Sequence, residues 1–140
     1  MRSASRRLFC AAVCQAAAAV AVAGARQNAA IPLVRGQADG DTVRVPVTST
    51  PLDTVGGRAR VASTAGAFLV TRLDAVTFVA LTGTCSHESC QITDGDAQAF
   101  VCPCHESRFS AQGEVLRGPA ERPLEHYATG FADGVLTIRL

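Results

Sequence analysis

Two short segments of this chain are rich in cysteine and histidine, the side chains that bind transition metals. The first reads Cys85-Ser86-His87-Glu88-Ser89-Cys90, and the second reads Cys102-Pro103-Cys104-His105-Glu106-Ser107-Arg108-Phe109. We refer to residues 85–90 as box one and to residues 102–109 as box two. The boxes supply Cys-x-His, fourteen intervening residues and Cys-x-x-His, with one further cysteine in each box. This pattern predicts a metal centre.

Two thiolates and two neutral imidazoles suit a [2Fe–2S] cluster in which imidazoles replace thiolates on one of the irons. Two ferric ions, two sulfides and two thiolates carry no net charge, whereas four thiolates would leave the cluster negative. The less negative cluster accepts an electron more readily. The boxes therefore predict one-electron transfer.

Two other interpretations stay open on the residues alone. Two cysteines and two histidines also form structural zinc sites, although Cys-x-His is an unusual zinc spacing. A disulfide scaffold is common in exported proteins, but it leaves His87 and His105 unexplained. The alternative of a different class is thus a zinc- or disulfide-stabilised binding module.

The boxes resemble those of the Rieske iron–sulfur family, specifically its high-potential, disulfide-bearing branch. That branch includes the iron–sulfur subunits of cytochrome bc and bf complexes and the small subunits of arsenite oxidases. The resemblance covers residues 40–140. It implies one [2Fe–2S] cluster per chain and an all-β fold, a small antiparallel sandwich or barrel with a cluster-binding subdomain of two loops.

The resemblance assigns a role to each cysteine and histidine of the boxes. The inner iron should be bound by Cys85 and Cys102, and the outer, more exposed iron should be bound by His87 and His105. The two remaining cysteines should form a disulfide, namely Cys90 and Cys104.

The resemblance also assigns residues around the cluster. Ser107 should donate a hydrogen bond to a bridging sulfide, and Gly118-Pro119-Ala120 should form the proline loop that covers the cluster's third side. Phe109 takes a position where the family often has Tyr, whose hydroxyl bonds a ligand sulfur. Glu88 and Ser89 replace the Leu-Gly of quinol-oxidising complexes, and a glutamate here favours a polar protein partner.

We therefore predict an electron-transfer protein, or a subunit of an oxidoreductase complex, rather than a stand-alone enzyme. Its partner would be a cytochrome, the large subunit of a molybdenum oxidase or a cytochrome bc complex. The alternative within electron transfer is the iron–sulfur subunit of a quinol-oxidising cytochrome bc complex. A net charge of +1 and the absence of Trp give no indication of nucleic-acid binding.

The first 25 residues are predicted to be a targeting segment. Ser5-Arg6-Arg7-Leu8-Phe9 resembles the twin-arginine export motif, and an Ala-rich run follows it. Ala23 and Ala25 offer an A-x-A cleavage site. We expect an exported, periplasmic protein. An uncleaved run that tethers the chain to a membrane is the alternative, because its length is close to the minimum for a span.

The remainder is predicted to be a linker at residues 26–40 and one Rieske domain at residues 41–140. Short apolar and alternating runs favour strands rather than helices. The predicted strands are at residues 42–48, 58–63, 67–72, 77–82, 98–102, 113–116, 124–129 and 135–140. Turn residues at 94–96 and 132–134 should separate neighbouring strands.

Overall fold

The computed structural model describes residues 27–140 of the chain. The predicted signal segment and the alternative membrane tether therefore lie outside the described residues. Within residues 27–140, no helix has both the length and the hydropathy needed to cross a bilayer.

The regular secondary structure of the described residues is almost entirely β-strand, as predicted. Their helical content is one 3₁₀ turn at Pro51–Asp53. In chain order the strands are β1 (Ala29–Ala30), β2 (Leu33–Arg35), β3 (Gln37–Asp39), β4 (Thr42–Pro46), β5 (Arg58–Ser63), β6 (Gly66–Arg72), β7 (Phe78–Thr82), β8 (Asp94–Gly95), β9 (Phe100–Val101), β10 (Arg108–Phe109), β11 (Val115–Arg117), β12 (His126–Tyr127), β13 (Thr129–Ala132) and β14 (Val135–Arg139).

These strands form three sheets. The central sheet has the strand order β12-β7-β6-β5-β2, the outer sheet has the order β13-β14-β4-β3, and the site sheet has the order β1-β8-β9-β10-β11. Paired strands are antiparallel, except that β2 runs parallel to β5. The predicted strands at residues 67–72 and 77–82 correspond to β6 and β7, which form an antiparallel hairpin with Arg72 opposite Phe78.

The central sheet is the middle layer of the fold, because its strands face two hydrophobic cores. In β6, Phe68 and Val70 join the core against the outer sheet, whereas Leu69 joins the core beneath the boxes. In β7, Ala80 joins the core against the outer sheet and Leu81 joins the core beneath the boxes. Side chains alternate between the two faces of a strand, so an apolar run can serve both cores. Leu69 and Leu81 therefore support the site from below.

The outer sheet closes the far side of the central sheet. Val43 and Val45 of β4 are fully buried, as their alternation with polar residues predicts. Leu136 lies opposite Val45 in the neighbouring strand β14 and is also fully buried. Truncating such a residue to Ala would cost about 2–5 kcal/mol of stability. The predicted turn at 132–134 is confirmed: Asp133 and Gly134, with φ of 51° and 72°, connect β13 to β14.

The prediction of a linker at residues 26–40 is wrong, because three strands lie within it. Strand β2 pairs with β5, and β3 pairs with β4. The segment buries one large apolar side chain, Val34, so its sequence shows little alternation. Its backbone is nevertheless tied to both sheets, and the Gly36 N–H donates to the Ala62 carbonyl at 2.9 Å.

The predicted turn at residues 94–96 is displaced along the chain. Asp94 and Gly95 form β8 and pair with β9. A side chain at Gly95 would place its Cβ 2.9 Å from the Ala99 carbonyl oxygen, so the glycine serves close strand approach. The turn follows it, where the Asp96 carboxylate accepts hydrogen bonds from the N–H groups of Gln98 and Ala99, each at 2.9 Å.

Candidate metal centre

Box one is a loop that closes on its own first cysteine. The Cys85 N–H donates to the Cys90 carbonyl at 2.7 Å, and the Ser89 N–H donates to the Cys85 carbonyl at 3.1 Å. Thr84 and Gln91 pair at the base of the loop. Ser89 adopts a left-handed conformation, with a φ of 55°. This conformation turns the chain sharply enough to bring both ends of the box together.

Box two repeats this backbone arrangement with a different sequence. The Cys102 N–H donates to the Ser107 carbonyl, and the Glu106 N–H donates to the Cys102 carbonyl, each at 2.9 Å. Glu106 is left-handed, with a φ of 60°, and so matches Ser89 in conformation. The two boxes are therefore similar loops, each beginning at a predicted cysteine ligand.

The two cysteines that begin the boxes are buried. Cys85 and Cys102, here called the thiol pair, are 3% and 1% exposed and belong to the same hydrophobic core. Burial raises the pKa of the Cys102 thiol, and the neighbouring Cys85 thiol raises it further, whereas the N–H groups of Cys104 and His105 oppose the rise. A bound metal ion favours the deprotonated thiolate, which is the form that binds metals.

The box histidines lie together and are exposed to solvent. The rings of His87 and His105, here called the imidazole pair, have centroids 4.9 Å apart and are nearly perpendicular. Glu88 lies beside them, with its Oε2 atom 3.7 Å from Nδ1 of His105. Its side chain is 62% exposed, so this carboxylate lies on the same exposed surface as the imidazole pair.

The predicted disulfide joins the two boxes. Cys90 and Cys104 are bonded, with their Cα atoms 6.5 Å apart. The bond leaves Cys85 and Cys102 as the free thiols of the described chain. It therefore removes two cysteines from the set of metal ligands and holds one box against the other.

Within residues 27–140, two groups of three potential ligand residues have their ligand atoms within 4.8 Å of one another. One group joins the imidazole pair to Glu88, and the other joins Cys102 to the two disulfide cysteines. Neither group contains both a thiol and an imidazole. A single zinc ion would draw two thiols and two imidazoles around one point. A two-iron cluster instead needs a thiol pair and an imidazole pair on different sides, and the donors fit this requirement.

Gly118-Pro119-Ala120 begin a longer irregular segment, residues 118–123, to which we apply the name proline loop from here on, and this loop packs against box two. The Ala120 N–H donates to Oγ of Ser107 at 3.0 Å, and both residues are buried. Because the Ser107 oxygen accepts this bond, its own hydrogen is free to be donated elsewhere. Gly118 and Pro119, which were predicted to cover the site, are exposed, and Ala120 is the loop residue that packs inward.

Phe109 is fully buried in the core that contains the thiol pair. Phe109 therefore presents a hydrocarbon ring and no hydroxyl to this core. Ser107 and Phe109 are both fully buried, and their roles toward a cluster stay predictions.

One polar contact beside box two has no signal in the sequence. Arg108 pairs with the carboxylate of Asp96, and both side chains are largely buried. The hydrogen bond from Arg108 lowers the pKa of Asp96 to about 2, assisted by the N–H groups of Gln98 and Ala99. Arg58 of the central sheet donates to the Asp96 carbonyl at 2.9 Å. Asp96 therefore connects box two to the central sheet.

A β-fold that presents two disulfide-linked Cys/His loops defines a class of small metalloproteins in which a metal cluster lies at the protein surface. Residues 35–128 match the family model of the Rieske [2Fe-2S] domain. The chain belongs to this family, whose domain binds a [2Fe–2S] cluster, and it is an electron-transfer protein.

Several curated relatives are iron–sulfur subunits. The chain is 31% identical to the cytochrome b6-f complex iron-sulfur subunit 1 of Synechocystis, over 76% of this chain and 66% of that protein. It is 38% identical to subunit 2 of Trichormus variabilis, over 58% of this chain and 48% of that protein. The chain thus spans less than two thirds of the length of these relatives.

A solved structure supports the fold. The crystal structure of the cyanobacterial plasma membrane Rieske protein PetC3 from Synechocystis aligns with a TM-score of 0.53 and 33% identity. The alignment covers 59% of this chain and 86% of that protein. The predicted Rieske-type fold is confirmed.

Proposed function

We propose that this chain transfers single electrons through a [2Fe–2S] cluster held by Cys85, Cys102, His87 and His105. The observation that supports these ligands is the separation of the buried thiol pair from the exposed imidazole pair. When bound, such a cluster supplies one-electron oxidation and reduction. The thiol pair would hold the inner iron, and the imidazole pair would hold the outer iron.

The surrounding residues leave the proposed cluster accessible to a redox partner on one side, that of the imidazole pair. The hydrophobic core beneath the thiol pair excludes water from the inner side of the site. The exposed rings of the imidazole pair allow a redox partner to approach the ligands directly. The protein therefore protects the site on one side and presents it on the other.

Ligand substitutions test this assignment. The purified protein should contain two irons and two acid-labile sulfides and, when reduced, should give a Rieske-type paramagnetic resonance signal. Cys85→Ser, Cys102→Ser, His87→Ala and His105→Ala should each abolish that signal. His126→Ala is the matched control, because His126 is exposed and its ring contacts the Gln112 carbonyl rather than the boxes. Stoichiometric zinc without labile sulfide would refute the proposal.

Substitution of the disulfide cysteines tests their structural role separately from the role of the proposed ligands. Cys90→Ser and Cys104→Ser remove the link between the boxes without removing a proposed ligand. We expect both variants to assemble the cluster but to lose it faster than the wild-type protein. Complete failure to assemble in both would contradict this division of roles.

The partner is proposed to be a redox protein that docks on the exposed imidazole pair. Glu88 beside this pair favours a polar protein surface, such as that of a cytochrome or the large subunit of a molybdenum oxidase. The relatives named above favour a second candidate, in which the chain is a subunit of a quinol-oxidising cytochrome bc complex. Affinity purification from membranes distinguishes the two: co-purification with a cytochrome b supports the second candidate and refutes the first.

Export is proposed from two independent features. Residues 5–9 resemble a twin-arginine motif, and the disulfide between the boxes is typical of an oxidising compartment. Replacing Arg6 and Arg7 together by Lys should retain the protein in the cytoplasm, as measured by cell fractionation. The mass of the exported protein shows whether residues 1–25 have been removed or remain as a tether. Unchanged export of the double variant would refute the twin-arginine route.

A further inference from the structure

The proline loop is attached to both boxes, at two different points. Its attachment to box two is the buried hydrogen bond from the Ala120 N–H to Ser107, at 3.0 Å. Its attachment to box one is a reciprocal pair of hydrogen bonds between Ser86 and Arg122. The Ser86 hydroxyl donates to the Arg122 carbonyl at 2.6 Å, and the Arg122 guanidinium donates to the Ser86 carbonyl at 3.2 Å.

The position of Ser86 makes the second attachment important. Ser86 lies between Cys85 and His87 in the sequence, one residue from a buried thiol on one side and from an exposed imidazole on the other. A bond to Ser86 therefore acts on the part of box one that carries both predicted ligands. The same bond fixes Arg122, which follows the inward-packed Ala120 in the loop.

We propose that Ser86 and Arg122 form a clasp that closes the proline loop over the site and limits the access of solvent and chelators. Each partner contributes a side chain to the other's backbone carbonyl, so the clasp opens only when both bonds break. Ser86 and Arg122 are positioning residues in this proposal, because neither is a predicted ligand. The presence of a cluster beneath the loop rests on the proposed function, whereas the closure of the loop does not.

The clasp is partly solvent-exposed, which sets the size of its effect. Arg122 is exposed and Ser86 is half-buried, so each hydrogen bond competes with water. Loss of one such bond should increase the open fraction of the loop roughly two- to tenfold. Loss of both should have a larger effect than loss of either.

Hydrogen exchange and chelation together test the clasp in the full, cluster-loaded protein. In Ser86→Ala, in Arg122→Ala and in the double variant, mass spectrometry should show faster amide exchange in residues 118–124. Iron release into excess EDTA should also be faster in each single variant than in the wild-type protein, and fastest in the double variant. Ser86→Thr retains the hydroxyl and should keep the wild-type rates, which separates loss of the bond from general damage to box one.

Arg139→Ala is the matched arginine control, because Arg139 is an exposed residue at the end of β14 on the outer sheet. Exchange and iron release in Ser86→Ala and Arg122→Ala that equal those of Arg139→Ala would overturn the clasp. Metal analysis of the same samples shows separately whether a two-iron cluster is present. A zinc-containing protein would refute the proposed function, while the exchange rates would still decide whether the loop is clasped.

Discussion

Asp96→Asn tests how much the ion pair between Asp96 and Arg108 contributes to the stability of the site sheet, in which Asp96 directly follows β8 and Arg108 lies in β10. The substitution keeps Oδ1, which accepts from the N–H groups of Gln98 and Ala99 and forms the turn. It replaces Oδ2, the partner of Arg108, with an amide N–H₂ group. Two donors then face each other, and the largely buried guanidinium loses its counter-charge. The turn is retained while the ion pair is lost.

The size of this loss follows from the pKa of Asp96. Its pKa is held at about 2, below the ordinary value of 3.8, first by the hydrogen bond from Arg108. A difference of one pKa unit corresponds to about 1.4 kcal/mol, so the full shift corresponds to roughly 2.5 kcal/mol. The part of the shift that comes from the N–H groups of Gln98 and Ala99 is retained in the variant, and residual solvent contact of the pair reduces the value further. We expect Asp96→Asn to lower the free energy of unfolding at pH 7 by about 1–2 kcal/mol.

The lowered pKa also fixes the direction of the pH dependence. A carboxyl group with a depressed folded-state pKa contributes its stability above the unfolded pKa of about 4. That contribution is lost as pH falls through the folded-state value of about 2. The difference in stability between the wild-type protein and Asp96→Asn should therefore be full at pH 5 and shrink between pH 4 and pH 2.

Asp74→Asn provides the matched control for urea unfolding followed by circular dichroism. Asp74 also accepts two backbone N–H bonds through Oδ1, from Val76 and Thr77 at 2.8 Å, but it lies in the exposed turn between β6 and β7. Changes that acid causes in the cluster itself affect all variants and cancel in the comparison. We expect the urea midpoint of Asp96→Asn to fall by roughly 1 M at pH 7. Equal midpoints for Asp96→Asn and Asp74→Asn would refute the reasoning.

Three further predictions concern box two. Phe109→Tyr should raise the reduction potential by about 20–65 mV if the new hydroxyl donates to a ligand sulfur, since a hydrogen bond contributes about 0.5–1.5 kcal/mol; voltammetry that shows no rise would exclude this bond. Ser107→Ala should lower the potential by a similar amount and destabilise the protein by about 1–3 kcal/mol, because the buried Ala120 N–H loses its acceptor; an unchanged urea midpoint would contradict the second part. Glu106→Val should lose about 1–2 kcal/mol at its left-handed φ of 60°, while Glu106→Gly stays close to the wild type; comparable urea midpoints for the two variants would show that the conformation is not strained.

The sequence alone was enough to predict the β-class, the family and the disulfide. Strand alternation identified β4 and β14, because each strand has one face toward a core and one toward solvent. The predicted box cysteines Cys90 and Cys104 are joined in the structure. The strands and the boxes are readable because the information lies in short, contiguous patterns of residue type and spacing, whereas the disulfide pairing was implied by the family resemblance that the boxes carry.

Only the tertiary structure decided the contacts between segments that are distant in the chain. The strands at residues 29–39 were missed, because a mostly polar segment joins a sheet through its backbone rather than through apolar side chains. The ion pair of Asp96 with Arg108 and the clasp of Ser86 with Arg122 join residues that no local pattern connects. The separation of thiols from imidazoles also depends on how two loops pack across a disulfide. Such contacts depend on the relative placement of whole elements, which a local pattern of residue types does not encode.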